Sequence, residues 1–228
     1  MIKNVLLDLD DTVLDFHKAE KIALMKALEV HGLNTDEEVL SSYSEINKIH
    51  WQRLERGEET RAEVLVNRFR DLFLKFGIES DPAQMKLTYE SFLGQGHYFM
   101  PGAERMLKDL HGKYRLYLAS NGTWKVQKGR IESAGISPLF DGLFVSELVG
   151  ADKPSVDYFA AVFREIPDFK KSETVIVGDS LTSDILGGNR AGILTVWYNP
   201  KGAEKTDVAA PDYEIRDLSE LAPLLQSL

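Results

Sequence analysis

The chain has 228 residues, of which 43% are hydrophobic and 28% are charged, and these values are ordinary for a globular protein. It contains no cysteine, which excludes disulfides, iron–sulfur clusters, thiolate zinc sites and a cysteine nucleophile. A net charge of −9 disfavours electrostatic binding of nucleic acid, and no apolar run approaches the roughly 18 residues that span a bilayer. The N-terminus lacks the basic region and cleavage site of a signal peptide, so we expect a cytoplasmic protein.

Five short apolar runs predict the strands of a buried sheet, at 3–7, 116–119, 143–145, 174–177 and 194–197. Their hydrophobicity is continuous rather than alternating, which is typical of parallel strands that are buried on both faces. Helix-length segments lie between them at 103–110, 126–134, 156–163 and 184–191. Gly112, Gly135 and Gly192 follow three of these segments, where a left-handed C-cap favours glycine. The alternation predicts a doubly wound α/β fold with a Rossmann-like parallel sheet.

The stretch 16–99 has a different period, with apolar residues three and four positions apart. These residues are Val39, Leu40, Tyr43, Ile46, His50, Trp51 and Leu54, followed by Val64, Leu65, Phe69, Leu72, Phe73 and Phe76. Breaks at 32–34, 56–58 and 77–82 divide the stretch into four predicted helices. We therefore predict a helical cap domain at 16–99, inserted into an α/β core made of 1–15 and 100–228.

Two acidic residues, Asp8 and Asp10, come directly after the first predicted strand. At the carboxyl end of a strand they can face the crevice where open α/β sheets bind ligands. Two carboxylates at this spacing can supply a nucleophile and a separate proton donor, or they can hold a divalent cation. The alternative is an acidic turn whose aspartates cap the helix that begins near His17.

A hydroxyl and a glycine turn follow the second predicted strand, as Ser120-Asn121-Gly122. A serine hydroxyl and free backbone N–H groups in a tight turn form an anion cradle, although a simple helix N-cap explains the same residues. Lys153 precedes Pro154, which is a helix-start signal. If Lys153 faces the crevice, it is a positive charge suited to a phosphoryl group; otherwise it is a solvated lysine.

Asp179 follows the fourth predicted strand, and Asp184 comes five positions later. Mg²⁺ is usually held by one or two carboxylates, waters and a substrate phosphate, so Asp179 together with Asp8 would suffice; the alternative is another capped turn. All four segments fall at strand ends on one edge of one predicted sheet. Together they supply acids, a cation site, a hydroxyl and a lysine, and this combination favours a catalytic site.

In this order and spacing, the four segments resemble the haloacid dehalogenase (HAD) superfamily, which consists mostly of Mg²⁺-dependent phosphatases. The resemblance covers the whole chain, and the helical insertion is similar to the superfamily's C1-type cap. It implies that Asp8 is the nucleophile that forms an aspartyl-phosphate and that Asp10 is the acid and base. It also implies that Lys153 helps to neutralise the charge of the phosphate.

The resemblance implies a set of binding residues as well. Mg²⁺, for which Mn²⁺ can substitute, would be held by Asp8, the Asp10 carbonyl and Asp179. The residues implied to bind phosphate are Ser120, Asn121, Gly122 and Lys153, and those implied to support the ligands are Thr12 and Asp184.

Three details narrow the substrate class within the superfamily. True dehalogenases lack an acid/base aspartate two residues after the nucleophile, so the presence of Asp10 disfavours dehalogenation. Sugar phosphomutases usually carry glycine after the second aspartate, whereas this chain has Asp11. The segments that resemble the noncanonical pyrimidine 5′-nucleotidase branch are Tyr43-x-x-Ile46-Asn47-Lys48-x-x-Trp51, Ser146-Glu147-x-Val149-Gly150 and Ser183-Asp184-Ile185-Leu186-Gly187-Gly188.

The predicted function is therefore that of a 5′-nucleotidase acting on nucleoside 5′-monophosphates, with Asn47 and Trp51 as candidate substrate contacts from the cap. We expect a small phosphorylated metabolite as partner, no nucleic acid polymer, no membrane, and a monomer or small homo-oligomer. A sugar-phosphate phosphatase or phosphomutase is the first alternative. A catalytically silent binding protein of the same fold is the second, and the intact catalytic set argues against it.

Overall fold

The computed structural model describes residues 1–205 and 207–228. The strands of its sheet are β1 (Asn4–Leu7), β2 (Arg115–Ser120), β3 (Gly142–Val145), β4 (Thr174–Gly178), β5 (Leu194–Tyr198) and β6 (Tyr213–Ile215). All neighbouring strands are parallel, in the order β3-β2-β1-β4-β5-β6. The predicted doubly wound fold is confirmed. The strand order reverses between β1 and β4, which is where open α/β sheets bind ligands.

Helices cover both faces of this sheet and fill the interval between β1 and β2. None of the helices in residues 1–205 and 207–228 is long and apolar enough to cross a bilayer. In chain order the helices are α1 (Phe16–Val30), α2 (Glu37–Glu55), α3 (Arg61–Phe76), α4 (Pro82–Leu93), α5 (Ala103–Leu110), α6 (Trp124–Ser133), α7 (Ser146–Val149), α8 (Val156–Glu165), α9 (Leu186–Ala191) and α10 (Leu221–Ser227).

The strands are buried on both faces because successive residues enter different apolar clusters. Val5 and Leu7 of β1 belong to the cluster that includes residues of α5 and α10, whereas Leu6 belongs to the cluster that contains Phe159 and Val162 of α8. Strand side chains alternate between the faces, so a continuous apolar run is what this two-sided packing requires. The buried β1 holds its carboxyl end, and the acidic residues beyond it, in a fixed place.

Helices α7 and α10 were not among the predicted segments, and two further elements also differ from the prediction. The short edge strand β6 was not predicted, because its three residues carry a charged Glu214 at the centre and form no apolar run. The helix predicted at 184–191 instead begins with a π-helical turn, Leu181–Ile185, followed by α9. In that turn Asp184 and Ile185 both donate backbone hydrogen bonds to the carbonyl of Ser180, at 3.1 Å each. The sequence pattern marks apolar spacing and cannot detect this widened turn.

The stretch between β1 and α5 forms the four predicted helices, α1 to α4. Thr60 and Glu63 make a capping box at the start of α3, and Gly77 ends that helix in the left-handed conformation. Buried apolar side chains of these helices form a cluster separate from the sheet clusters. At its centre the rings of Tyr43, Phe69 and Tyr89 lie with centroids 5.0 to 5.5 Å apart. We call helices α1–α4 the four-helix insertion.

We predict that Phe69→Ala lowers the free energy of unfolding by about 3–5 kcal/mol, because it removes the ring at the centre of this cluster and leaves a cavity. The matched control is Leu74→Ala on the same helix, whose side chain is 75% exposed and whose loss should change stability by about 0.5 kcal/mol or less. Urea denaturation of both variants measures the difference. Equal losses would show that the aromatic cluster is not the core of the insertion.

Candidate active site

Lys153 lies at the centre of the site, where it joins three segments of the core. Its ammonium group donates to the Asp8 carboxylate, the Asp184 carboxylate and the backbone carbonyl of Ala119, each at 2.6 Å. The side chain is buried, and burial alone lowers the pKa of a lysine. Attraction by Asp184 and Asp8 outweighs burial and raises the pKa of Lys153 above its usual value, so the group remains charged. The structure thus brings Lys153 into the crevice rather than into solvent.

Three carboxylates converge beside Lys153. One oxygen each of Asp8, Asp179 and Asp184 lies within 4.8 Å of the others. Burial raises the pKa of Asp8 well above its usual value. Attraction by Lys153 opposes this effect, and repulsion from Asp184 adds to it. Burial, together with repulsion from Asp8 and Asp184, also raises the pKa of Asp179 well above its usual value. A set of buried, mutually repelling oxygen donors fits a hard divalent cation such as Mg²⁺.

The three acids are not equally available to a cation. Asp184 uses both oxygens, because Lys153 donates to Oδ1 at 2.6 Å and the backbone N–H of Ser180 donates to Oδ2 at 3.2 Å. Asp179 is held by its backbone instead, through its N–H to Thr12 Oγ1 at 3.1 Å and its carbonyl to the indole of Trp197 at 2.8 Å. Asp184 therefore fits a supporting position, whereas the carboxylate of Asp179 accepts only a long 3.5 Å hydrogen bond from Thr12 Oγ1 among the described residues and keeps its Oδ2 for a ligand.

The position of Asp184 depends on a glycine and on the π-helical turn. A Cβ at Gly178 would lie 2.2 Å from the Asp184 carboxylate, so no other residue fits at the end of β4. The widened turn at 181–185 places Asp184 beside the end of β4. Glycine at this position is thus required by a close approach and not by the backbone angles.

The end of β2 forms the predicted turn of Ser120, Asn121 and Gly122. Ser120 Oγ accepts hydrogen bonds from the side-chain amide of Gln127 at 2.8 Å and from the backbone N–H of Gly122 at 3.2 Å. Both lone pairs are then used, so the hydroxyl hydrogen is left to donate to a ligand. Asn121 makes two 2.8 Å hydrogen bonds with the backbone of Lys153, so its side chain positions the lysine.

Asp10 is held by two residues that the sequence analysis did not identify. Gln127 Nε2 donates to Oδ2 of Asp10 at 2.7 Å, and Arg130 forms an ion pair with Oδ1. Arg130 is fully buried and also donates to the backbone carbonyl of Gly96 at 3.1 Å. Gln127 and Arg130 lie three residues apart on α6, among its buried residues. The only sequence signal for these two residues is that polar side chains occupy the buried face of a helix. A search for apolar spacing does not detect such residues.

A cavity of about 220 Å³ connects these groups with the four-helix insertion. On the core side its walls include the acid cluster and the turn after β2, and Trp51, a predicted substrate contact, lies in its wall. The residues that line it from the insertion and from α6 are Phe16, Trp51, Glu55, Leu65, Arg68, Glu90, Leu93, Val126 and Gln127.

Asn47 does not line this cavity, contrary to its predicted place as a direct contact. It is buried, its amide donates to Glu20 at 2.7 Å, and its carbonyl oxygen accepts from Arg68 at 3.0 Å. The reason is its position on the face of α2 that packs against α3, so that Arg68 lies between Asn47 and the cavity. Asn47 therefore acts on the cavity by holding Arg68.

The four-helix insertion is tied to the core beside Lys153. Arg61, at the start of α3, donates to both Ser146 and Asp152. Asp152 is the residue before Lys153 in the chain, so this contact links the insertion directly to the segment that carries Lys153. His17, at the start of α1, is exposed and lies 3.4 Å from Asp11, which gives it no place in the cavity wall.

Comparison with known proteins agrees with this geometry. The family model for haloacid dehalogenase-like hydrolases matches residues 2–192. HAD-hydrolase YfnB of Bacillus subtilis is 39% identical over 98% of this chain and 95% of that protein. Pyrimidine 5′-nucleotidase PynA of Streptococcus pneumoniae is 37% identical over 98% of this chain and 94% of that protein.

Solved structures give the same result. The crystal structure of YfnB bound to magnesium superposes with a TM-score of 0.94 and covers 98% of both chains. L-2-haloacid dehalogenase from Xanthobacter autotrophicus, at 18% identity, superposes with a TM-score of 0.80 over 100% of both chains, which shows a shared fold. The resemblance inferred from the motifs is confirmed: the chain belongs to the haloacid dehalogenase-like hydrolase family.

Proposed function

We propose that the protein is a Mg²⁺-dependent phosphomonoesterase that works through an aspartyl-phosphate on Asp8 and acts on nucleoside 5′-monophosphates. The observation that carries this proposal is the surroundings of Asp8. Its carboxylate lines the cavity, contacts the charged Lys153 at 2.6 Å and lies within the acid cluster, with Asp10 two residues further along the chain. Hydrolysis of a phosphate ester by this route requires a nucleophile, a cation, a cation-binding cluster and a proton carrier.

Asp8 is oriented for attack by its contact with Lys153. Lys153 donates to Oδ1, and Oδ2 accepts no hydrogen bond from the residues that the structure describes. Attack by Oδ2 on phosphorus forms the acyl phosphate while the ester P–O bond breaks. Ser120, whose hydroxyl hydrogen is not used within the protein, donates to a phosphate oxygen and fixes the phosphate in line.

Asp10 carries the proton that each half-reaction requires. In the first half its carboxyl protonates the leaving oxygen, and in the second its carboxylate takes a proton from the water that cleaves the phosphate from Asp8. The structure holds both Asp10 oxygens against donors, Gln127 and Arg130, which is the arrangement of an ionised carboxylate. Delivery of a proton to the leaving oxygen therefore requires at least one of these contacts to open.

The acid cluster would hold the resident cation. We propose Asp8, Asp179 and the backbone carbonyl of Asp10 as ligands, with Asp184 and Thr12 as supports; the magnesium-bound relative supports this choice of ion. Mg²⁺ bound there reduces the repulsion between the Asp8 carboxylate and the anionic phosphate. Lys153 adds a second positive charge in contact with Oδ1 of Asp8.

The substrate assignment is supported by the cavity wall and by the named relatives. We propose that 16–99 acts as a cap over the core, because residues of the insertion complete the cavity above Asp8. Trp51 and Phe16 offer aromatic faces for a planar base. PynA and the Escherichia coli protein YjjG, 27% identical over 97% of this chain, are both named as pyrimidine 5′-nucleotidases.

A sugar-phosphate phosphatase is the second candidate. Glyceraldehyde 3-phosphate phosphatase of Methanothermobacter thermautotrophicus is 27% identical over 100% of both chains. A sugar presents hydroxyls on all sides, however, whereas four of the seven residues that the insertion contributes to the wall are apolar or aromatic. This wall favours a substrate with a large planar apolar part.

A panel of phosphorylated metabolites, assayed for phosphate release with Mg²⁺, tests the proposed function. We expect nucleoside 5′-monophosphates to give the highest kcat/KM, pyrimidine above purine, and activity to disappear in excess chelator and return with Mg²⁺. Sugar phosphates that exceed every nucleotide would overturn the nucleotidase assignment alone. Full activity in chelator would overturn the role of the cation.

Replacement by asparagine should affect turnover differently at Asp8 and at Asp10. Asp8→Asn should abolish turnover of every substrate, because no acyl phosphate can form. Asp10→Asn should keep a first burst of product with p-nitrophenyl phosphate, whose leaving group needs no proton, and then stall because water is not activated. Burst and steady-state rates, measured by stopped flow, separate the steps. Equal loss of both phases in Asp10→Asn would contradict its proton-transfer role.

We predict that Gln127→Met, which keeps the side-chain length, lowers kcat for nucleotides by about 10- to 100-fold, since it frees Asp10 and Ser120 together. The burst with p-nitrophenyl phosphate should fall much less, because only an alkoxide leaving group needs the proton of Asp10. Gln84→Met, at an exposed position of α4, is the control and should behave as wild type. The same loss with both substrates would indicate a purely structural role.

A further inference from the structure

One wall of the cavity carries a positive and a negative side chain that the phosphate chemistry does not use. Arg68 of α3 and Glu90 of α4 both line the cavity from the insertion side. The nearest atoms of the pair, NH2 of Arg68 and Oε1 of Glu90, are 4.0 Å apart, which is longer than a hydrogen bond. Neither group belongs to the acid cluster or to the turn after β2.

Arg68 is held rigidly but keeps one amino group for a ligand. Its Nε donates to the carbonyl of Leu65 at 3.4 Å and its NH1 donates to Asn47 at 3.0 Å. The guanidinium also lies 5.1 Å from the ring centroid of Tyr89 and 5.2 Å from that of Phe69. Its NH2 makes no hydrogen bond with the described residues. The side chain is only 2% exposed, so the guanidinium is fixed in place within the cavity wall.

Glu90 has no hydrogen bond at its carboxylate. Oε1 is buried without a partner, and Oε2 is 3.7 Å from the ammonium of Lys86. Burial raises the pKa of Glu90, while Lys86 and Arg68 act in the opposite direction. A buried acceptor that makes no hydrogen bond is costly, and a ligand that donates to it relieves this cost.

We propose that Arg68 and Glu90 form a recognition site for the edge of a pyrimidine base, a site that rests on the proposed nucleotidase function. The edge of uracil presents a carbonyl oxygen next to the N3–H group, that is, one acceptor beside one donor. Arg68 donates to the carbonyl oxygen and Glu90 accepts from N3–H. Apolar residues of the same wall, Leu65 and Leu93, contact the ring.

The proposed pairing explains why the buried guanidinium of Arg68 is held in place by a chain of hydrogen bonds. Asn47 accepts from Arg68 and donates to Glu20, which in turn accepts from Ser44 at 2.6 Å. Each donor in this chain has an acceptor, so the direction of the free NH2 group is set. A site that hydrogen-bonds a polar edge in this way rejects analogues that lack the edge.

Substrates that differ by a single methyl group test the site with the wild-type enzyme. Uridine 5′-monophosphate is compared with its 3-methyl and 5-methyl derivatives, and ribose 5-phosphate serves as the substrate without a base. The 3-methyl group removes the N3–H donor, so kcat/KM should fall by at least about tenfold. The 5-methyl group adds the same bulk but keeps the edge, so kcat/KM should stay within about threefold.

Glu90→Ala provides the matching change in the protein. It should lower kcat/KM for uridine 5′-monophosphate, remove the difference between that substrate and its 3-methyl derivative, and leave ribose 5-phosphate unchanged. Glu79→Ala, at an exposed position in the turn before α4, is the control and should keep the discrimination. If Glu90→Ala does not fold, as judged by circular dichroism, the wild-type comparison alone decides.

The outcomes separate this proposal from the proposed function. Rapid hydrolysis of uridine 5′-monophosphate and its 3-methyl derivative at equal kcat/KM would overturn the recognition site and leave the nucleotidase assignment intact. An equal loss of nucleotide and ribose 5-phosphate hydrolysis in Glu90→Ala would also overturn it. No phosphate release from uridine 5′-monophosphate with Mg²⁺ would overturn both.

Discussion

The buried ammonium group of Lys153 is the interaction on which the site depends. It joins the end of β1 through Asp8, the end of β2 through Ala119 and the π-helical turn through Asp184, all at 2.6 Å. Removal of one partner of such a buried pair typically costs about 3–5 kcal/mol, because the remaining charge is left uncompensated. The lysine thus holds the strand ends together, and in the proposed mechanism it also orients Asp8 for attack. This double role explains why Asn121 uses its whole side chain to fix the backbone of Lys153.

The charge balance around Lys153 is incomplete without a cation. Asp8, Asp179 and Asp184 place three carboxylates near a single ammonium group, and burial together with mutual repulsion raises the pKa of Asp8 and Asp179. A neutral site would need further positive charge, and Asp179 is the member of the cluster that forms no ion pair with Lys153. The topology creates this situation, since parallel strands β1 and β4 are neighbours and end at the same edge of the sheet.

The sequence predicted the parts of the structure that follow from apolar spacing and from strand ends. Five strands and four inserted helices follow from apolar period and turn chemistry, whereas the position of Lys153 in the crevice was implied only by the family resemblance. Gln127, Arg130 and Arg68 were not predicted, because each is a polar residue on a buried helix face whose partner lies far away in the chain. Asn47 was assigned to the substrate for the same reason: a sequence pattern identifies the helix but not which neighbour covers it.

The two halves of the cavity divide the chemistry between them. In the proposed mechanism the core supplies every group that acts on phosphorus, and these groups lie at the ends of the strands and on α6. The insertion supplies aromatic and apolar walls and the Arg68–Glu90 pair, none of which reaches the acid cluster through a contact in the structure. The insertion contacts the core through Arg61, which donates to Ser146 and Asp152, and through Gly96, whose carbonyl accepts from Arg130. Asp152 precedes Lys153 in the chain and Arg130 is the ion-pair partner of Asp10, so both contacts lead to residues of the proposed catalytic set.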